Sequence, residues 1–187
     1  MASDRATNDY FGYSVSISGS YIIVGAYYED EDESGANTLL NAGSAYIFAK
    51  DQGGTDNWGQ VKKIVASDRA AGDYFGNSVS ISGSNAIVGA NLEDEDATGG
   101  STFGNAGSAY IFVKDQGGDG NWGQVKKIVA SDRAAEDYFG TSVSISGNYV
   151  IVGAYYEDED AVGGATLSSA GSAYLFAKDQ GGTDTWG

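Results

Sequence analysis

The sequence predicts an all-β protein built from one unit used three times. Asp9-Tyr10-Phe11-Gly12, Asp73-Tyr74-Phe75-Gly76 and Asp137-Tyr138-Phe139-Gly140 stand 64 residues apart without slippage. Hydrophobic residues alternate with period two or form short continuous blocks, and no helical period of useful length occurs. The 29 glycines and absence of proline suit short strands joined by tight turns.

The middle unit shows each element in turn. Asn77 to Ser82 alternates, with Val79 and Ile81 on one face and Ser78, Ser80 and Ser82 on the other, which is a strand. Gly83-Ser84-Asn85 signals a turn, and Ala86 to Ala90 is the apolar block of a strand buried on both faces. An acidic, glycine-rich loop follows from Glu93 to about Asn105. Gly107 to Lys114 reads as a third strand, with Ala109, Ile111 and Val113 on one face and Tyr110 and Phe112 on the other. Asp115 to Asn121 is a hairpin loop. Gln124 to Ala130 is a fourth strand whose two lysines fit an outer edge, where charge discourages foreign pairing.

Four-stranded units at this spacing read as the blades of a β-propeller; a β-solenoid is the alternative, but 64 residues is long for one coil. The segments are 1–59, 60–123 with its preceding outer strand, and 124–187, together one propeller arc. Propellers typically carry four to eight blades. Three leave two exposed inter-blade faces, and soluble monomers rarely expose such apolar patches. The expectation is a homodimer that closes a six-bladed ring. Residue 187 stops just before a further Gln-Val-Lys-Lys strand would begin, and Ala2-Ser3-Asp4 matches the sequence just after one, which reads as a fragment boundary with an incomplete outer edge in the third blade.

Composition narrows the function. Net charge is −16, and the Glu-Asp-Glu-Asp runs at 29–32, 93–96 and 157–160 hold 12 of the 26 acids. Such a chain repels phosphate backbones and anionic membranes and attracts cations. No apolar run approaches spanning length, so neither nucleic acid nor membrane insertion is expected. Without Cys there are no disulfides or thiolate metal sites, and without His there is neither a Ser-His triad nor the commonest zinc ligand.

Phe-Gly followed by Val-Gly-Ala, in three in-phase copies across essentially the whole chain, resembles the FG-GAP repeat. It is similar to the blades of the integrin α-subunit propeller, and closer to tandem FG-GAP repeats of bacterial surface and secreted proteins. The resemblance implies a non-enzymatic extracellular or cell-surface module of the adhesion type. Two departures stand out. The proline of the family signature is replaced by Tyr27, Asn91 and Tyr155. The integrin-type calcium loop lies between the first two strands, whereas here the acidic loop follows Gly-Ala, so calcium sites do not carry over by position.

The acidic loops have their own logic. Asp30-x-Asp32-x-Ser34-Gly35 and Asp94-x-Asp96-x-Thr98-Gly99 match half of an EF-hand-type loop, and Asp158 and Asp160 begin the third copy. In extended chain, residues two apart point the same way, so two carboxylates and a hydroxyl converge on a cation. Ca2+ is therefore expected at Asp30, Asp32, Ser34, Asp94, Asp96, Thr98, Asp158 and Asp160. The third site is the weakest, because Val162 stands at the hydroxyl position. The twelfth position is Asn41, Asn105 or Ser169 where a bidentate Glu is wanted, so other oxygens, such as Glu29, Glu93 and Glu157, are required. A solvated acidic loop is the plain alternative.

Positions that vary between copies mark the ligand or partner surface: Tyr27 and Tyr28, Asn91 and Leu92, Tyr155 and Tyr156. The repeated Asp4-Arg5, Asp68-Arg69 and Asp132-Arg133 pairs read as inter-blade or turn salt bridges. Asp9, Asp73 and Asp137 read as turn caps, and Trp58, Trp122 and Trp186 as blade packing. The expected partners are a second copy of the chain and a cell-surface protein or glycan. A ligand-free structural or engineered scaffold, and a lectin-like carbohydrate binder, are the competing readings.

Overall fold

The computed structural model describes residues 1–159, 167–180, 182 and 185–187. The expected Asp160 ligand, with Val162 and Thr166, lies outside them. Two four-stranded sheets run β1 (Ser14–Ser18), β2 (Tyr21–Ala26), β3 (Ser44–Lys50), β4 (Trp58–Ile64) and β5 (Ser78–Ser82), β6 (Asn85–Ala90), β7 (Ser108–Lys114), β8 (Trp122–Ile128). A third holds β9 (Phe139–Ser146), β10 (Tyr149–Ala154) and β11 (Ser172–Ala177). Strands lie in chain order and pair antiparallel, as up-and-down propeller blades do. In the third sheet the outer position is held, among the described residues, by a single bridge between Lys178 and Trp186. The strand heading each of the segments 60–123 and 124–187 pairs backwards, completing the sheet of the segment before it.

Strand alternation gives each sheet two apolar faces of different kind. Phe75, Val79, Ile81, Val88, Tyr110 and Phe112 on one face of the second sheet pack against Ile23, Ala45, Ile47 and Ile64 of the first. The opposite face of the second sheet offers Ile87, Ala109, Ile111 and Ile128 to Phe139, Ile145, Val150 and Val152 of the third. The same bulky face thus meets the same aliphatic face at both seams.

The repeated signature residues sit at these seams. Phe75 bridges Gly43 and Phe139 bridges Gly107, each in parallel sense across a blade boundary. A methyl group on Gly25 or Gly89 would overlap the carbonyl oxygen of Gly76 or Gly140 in the next blade. Only glycine allows that approach. The first-strand serines complete the join. Ser14 and Ser78 donate to the Gly76 and Gly140 carbonyls at 2.8 and 2.7 Å, and the Ile81 and Ile145 amides donate to Ser16 and Ser80 at 3.2 and 3.1 Å.

Candidate functional site

Both ends of the blade row expose half of a seam. On the first sheet Ile17 is 65% exposed, whereas its equivalents Ile81 and Ile145 are 4% and 5% exposed. On the third sheet Leu175 is 69% exposed, whereas Ile47 and Ile111 are fully buried. Val15, Tyr149 and Ile151 are exposed in the same way. A pocket lined by Ser142, Gly153, Ala154, Gly171 and Ser172 lies open on the third sheet. It occupies the place where Gly25 and Gly43, or Gly89 and Gly107, receive the Phe-Gly turn of the following blade. Phe11-Gly12, the first such turn, lies on its own blade: Phe11 packs edge-on against Tyr46 and Phe48, the Gly12 amide donates to the Gly25 carbonyl at 3.0 Å, and space around Gly12 is open. Trp122 is buried and packs edge-on against Tyr21 of the preceding blade, while its equivalent Trp58 is 39% exposed.

The acidic runs divide between interior and rim. Their first residue is buried: Glu29, Glu93 and Glu157 are each 2% exposed. Lys63 sits 3.0 Å from Glu29 and 2.8 Å from Asp4; Lys127 sits 2.9 Å from Glu93 and 2.8 Å from Asp68. These lysines are not the solvent-facing edge charges that sequence suggests. Their ammonium groups neutralise carboxylates held inside, where an unpaired charge is costly. Lys62 and Lys126 are the outward pair. Among the described residues, three carboxylates lie close enough to share an ion, Asp68, Glu93 and Glu95, and two of them are the ones paired with Lys127. Burial, and the Glu29 carboxylate that accepts its hydroxyl, push the Tyr46 phenol far up.

The aspartates expected to ligate calcium are engaged within their loops. Asp30 accepts from the Asn41 amide at 2.7 Å and Asp94 from the Asn105 amide at 2.8 Å. Asp32 accepts from the Ser34 amide and hydroxyl at 2.8 and 2.6 Å, and Asp96 from the Thr98 amide and hydroxyl at 2.8 and 2.7 Å. Ser34 and Thr98 thus donate to the carboxylate rather than standing beside it as further oxygens. The Ser34 hydroxyl and the Asn37 side chain at Asp32, and the Gly100 amide (3.0 Å) followed by Thr98 at Asp96, hold both carboxyls well below the usual range. Asp158 accepts through its backbone carbonyl from the Leu167 amide at 2.7 Å.

The second and third Asp-Arg pairs span blades, but not through the salt bridges expected: neither pair bonds internally, and the arginines bind carbonyls. Asp68 pairs with Lys127, while Arg69 donates to the carbonyls of Asp30 and Asn37 at 2.7 and 3.0 Å, and Arg133 to those of Asp94 and Ser101 at 2.7 and 3.1 Å. Two arginines therefore pin the acidic loops of the blades before them. Asp9, Asp73 and Asp137 cap turns at the amides of Ala6, Ala70 and Ala134. Burial pushes the Asp73 carboxyl up to about 7, outweighing the Ala70 amide, which pulls it down.

Tyrosines gather at the end of the blades where the second strand leaves. Tyr27 and Tyr28 meet Tyr10, Tyr13 and Tyr74 at centroid distances of 4.4 to 5.8 Å. Tyr155 and Tyr156 meet Tyr138 at 5.5 and 5.4 Å. Tyr10, Tyr74 and Tyr138 hold φ of +52°, +60° and +57°, a left-handed conformation costly for a bulky residue. These three are identical in every copy, so variation between repeats does not point to them. Asn91 and Leu92 occupy the corresponding position in the second blade, half-buried and without the aromatic pair.

Repeated antiparallel sheets, joined face to face through Phe-Gly turns seated on glycine pairs, define a β-propeller-type blade repeat. Residues 1–48, 58–112 and 122–176 match the family model described as the FG-GAP repeat. The chain belongs to the FG-GAP repeat family. No curated protein matches it significantly. No helix among the described residues is long and apolar enough to cross a membrane.

Proposed function

We propose that this chain is a non-enzymatic, extracellular recognition module of the adhesion type that completes its propeller by self-association. One observation carries the reading: the third blade holds an empty seat for a Phe-Gly turn, and the first blade holds a Phe-Gly turn without a seat. In a two-fold dimer each seat receives Phe11-Gly12 of the partner subunit, which closes six blades with two identical contacts. The same contact covers Leu175 and Ile151 with the Val15 and Ile17 face, and brings Trp58 to Tyr149. It also places Tyr10 of the partner subunit against Tyr155 and Tyr156, as Tyr74 lies against Tyr27 and Tyr28, so the two tyrosine groups become one rim.

That rim is the proposed ligand surface, for a cell-surface protein or a glycan. Tyrosines offer broad contact area and a polar edge at low entropic cost. Cation binding is secondary in this reading. Ca2+ at the outer loops competes with the amides and hydroxyls that already satisfy Asp32 and Asp96, so we place its affinity on the order of 10⁻³ M, at the weak end for extracellular calcium modules. The test is native mass in solution. A dimer that retains its mass on chelation is expected, and a stable compact monomer at micromolar concentration overturns the reading.

A further inference from the structure

The two buried lysines carry an inference that is independent of ring closure. Lys127 stands on the outer strand β8, opposite Tyr110. Its Nζ lies 2.8 Å from Asp68 Oδ2, 2.9 Å from Glu93 Oε1 and 5.6 Å from the centre of the Tyr110 ring. Lys127 and Glu93 are buried. The second oxygen of Asp68, Oδ1, is also shielded from solvent and has no hydrogen-bond partner among the described residues. Lys63 repeats the arrangement in the first blade. Its Nζ lies 2.8 Å from Asp4 Oδ2, 3.0 Å from Glu29 Oε2 and 5.6 Å from the Tyr46 ring centre, and Asp4 Oδ1 is again unpartnered.

Three features separate these groups from a surface ion pair. The fold holds an amine nitrogen against a carboxyl in one geometry, and such positioning raises the effective concentration of one reactant at the other by several orders of magnitude. A second carboxylate, Glu93 or Glu29, touches the same nitrogen, so protons leaving it have an acceptor within hydrogen-bond reach. Ions held away from water are costly, so a reaction that removes two of them is favoured there as it is not in water. An open cavity of 380 Å³, lined by Ser67, Asp68, Thr98, Gln124 and Lys127, gives a released water a way out.

We propose that Lys127 and Asp68, and likewise Lys63 and Asp4, condense to side-chain amides that tie the outer strand of each blade to the segment entering that blade. The Nζ–Cγ bond forms and one carboxylate C–O bond breaks. Of the three ammonium hydrogens, one stays on the amide nitrogen and two leave with the aspartate oxygen as water. Glu93 or Glu29 takes each departing proton from the nitrogen and passes it to that oxygen, and is a carboxylate before and after. No oxidant, reductant or further reactant is consumed. Folding comes first, because the fold alone brings residues 68, 93 and 127 together. Freshly refolded chain therefore carries the ion pairs, and aged folded chain the amides.

The test is the intact mass of the wild-type chain after prolonged incubation in its folded state, followed by denaturation. A mass two waters below the sequence value is expected. Protease digestion should then give one branched peptide joining Asp68 to Lys127 and another joining Asp4 to Lys63. Lys127→Arg keeps the positive charge and should lose only one water. Glu93→Gln should also lose only one, although Asp68 and Lys127 are both still present. A purely electrostatic role for these lysines would leave every one of these chains at its full mass. The full sequence mass in the incubated wild-type chain overturns the proposal. So does a lost water without branched peptides, which places the dehydration elsewhere, and so does the loss of both waters from Glu93→Gln. The wild-type measurement stands by itself, so a variant that fails to fold does not protect the proposal.

Discussion

Leu175→Lys is the sharpest probe of ring closure, because it separates association from folding. The side chain is 69% exposed in the isolated chain while its equivalent Ile111 is fully buried at an occupied seam. A lysine there costs the monomer almost nothing. In the closed ring it lies against the Val15 and Ile17 face. Fully burying a leucine-sized side chain contributes about 1.5–3 kcal/mol, so loss of the remaining two-thirds forfeits about 1–2 kcal/mol per seam. Placing an ammonium against apolar surface without a partner adds several kcal/mol more. A two-fold dimer contains the substitution in both seams, which doubles the effect. A total above about 4 kcal/mol raises the dimer dissociation constant by roughly a thousandfold. Sedimentation or light scattering across a concentration series reads this directly, with urea unfolding of the dissociated chain as the control for folding. Leu175→Ala should give a smaller rise, roughly a hundredfold for about 3 kcal/mol over two seams. Wild-type and Leu175→Lys chains of the same mass, both dimeric, would refute the reasoning, because the bare face would then lie outside the contact.

Three further outcomes are expected. Lys127→Met leaves Glu93 buried without its cation and should cost about 3–5 kcal/mol in urea unfolding; adding Glu93→Gln should recover most of it, and failure to do so would mean that the lysine acts through packing alone. Asp73 titrates higher in the fold than in the unfolded chain, so between pH 5 and 7 the unfolded state is ionised while the folded state still holds the proton. Stability therefore falls as pH rises through this window, by at most about 3 kcal/mol, and the Asp73→Asn chain should lack that part of the slope. Addition of 10 mM Ca2+ should stabilise the chain by about 1.4 kcal/mol if its dissociation constant is on the order of 10⁻³ M, and Asp96→Asn should reduce the gain; no thermal shift at that concentration removes calcium from the account.

The strands and the faces of the sheets were legible because they follow from local pattern. Alternation at 78–82 assigned Val79 and Ile81 to one face, and the third strand sorted Ala109 and Ile111 from Tyr110 and Phe112, as the two cores do. The interior of the acidic runs was not legible. Four adjacent acids look equivalent in sequence, but Glu93 is buried beside a lysine 34 positions further on, while Asp96 turns outward to cap its own loop. Distinguishing them requires knowing that β8 returns beside β7. The tyrosine rim was half legible: variation picked out Tyr27 and Tyr28, whereas Tyr10 and Tyr74 were hidden by being invariant.

Invariance within a repeat protein conflates two kinds of residue. A position can be constant because it serves its own blade, as Glu29 and Glu93 do beside Lys63 and Lys127, or because it must fit the blade that follows. Gly25 and Gly89 are of the second kind: each is crowded by a carbonyl from the next blade, whereas Gly153 is crowded only by Ser142 of its own sheet. Gly153 therefore has the sequence of a residue at a seam without having the seam. The same holds for Ser144, whose equivalents Ser16 and Ser80 accept an amide from the next blade, and for Glu157, whose equivalents hold a lysine. Constancy at Gly153, Ser144 and Glu157 therefore follows from the role each position has in the other two blades, not from the contacts it makes in its own.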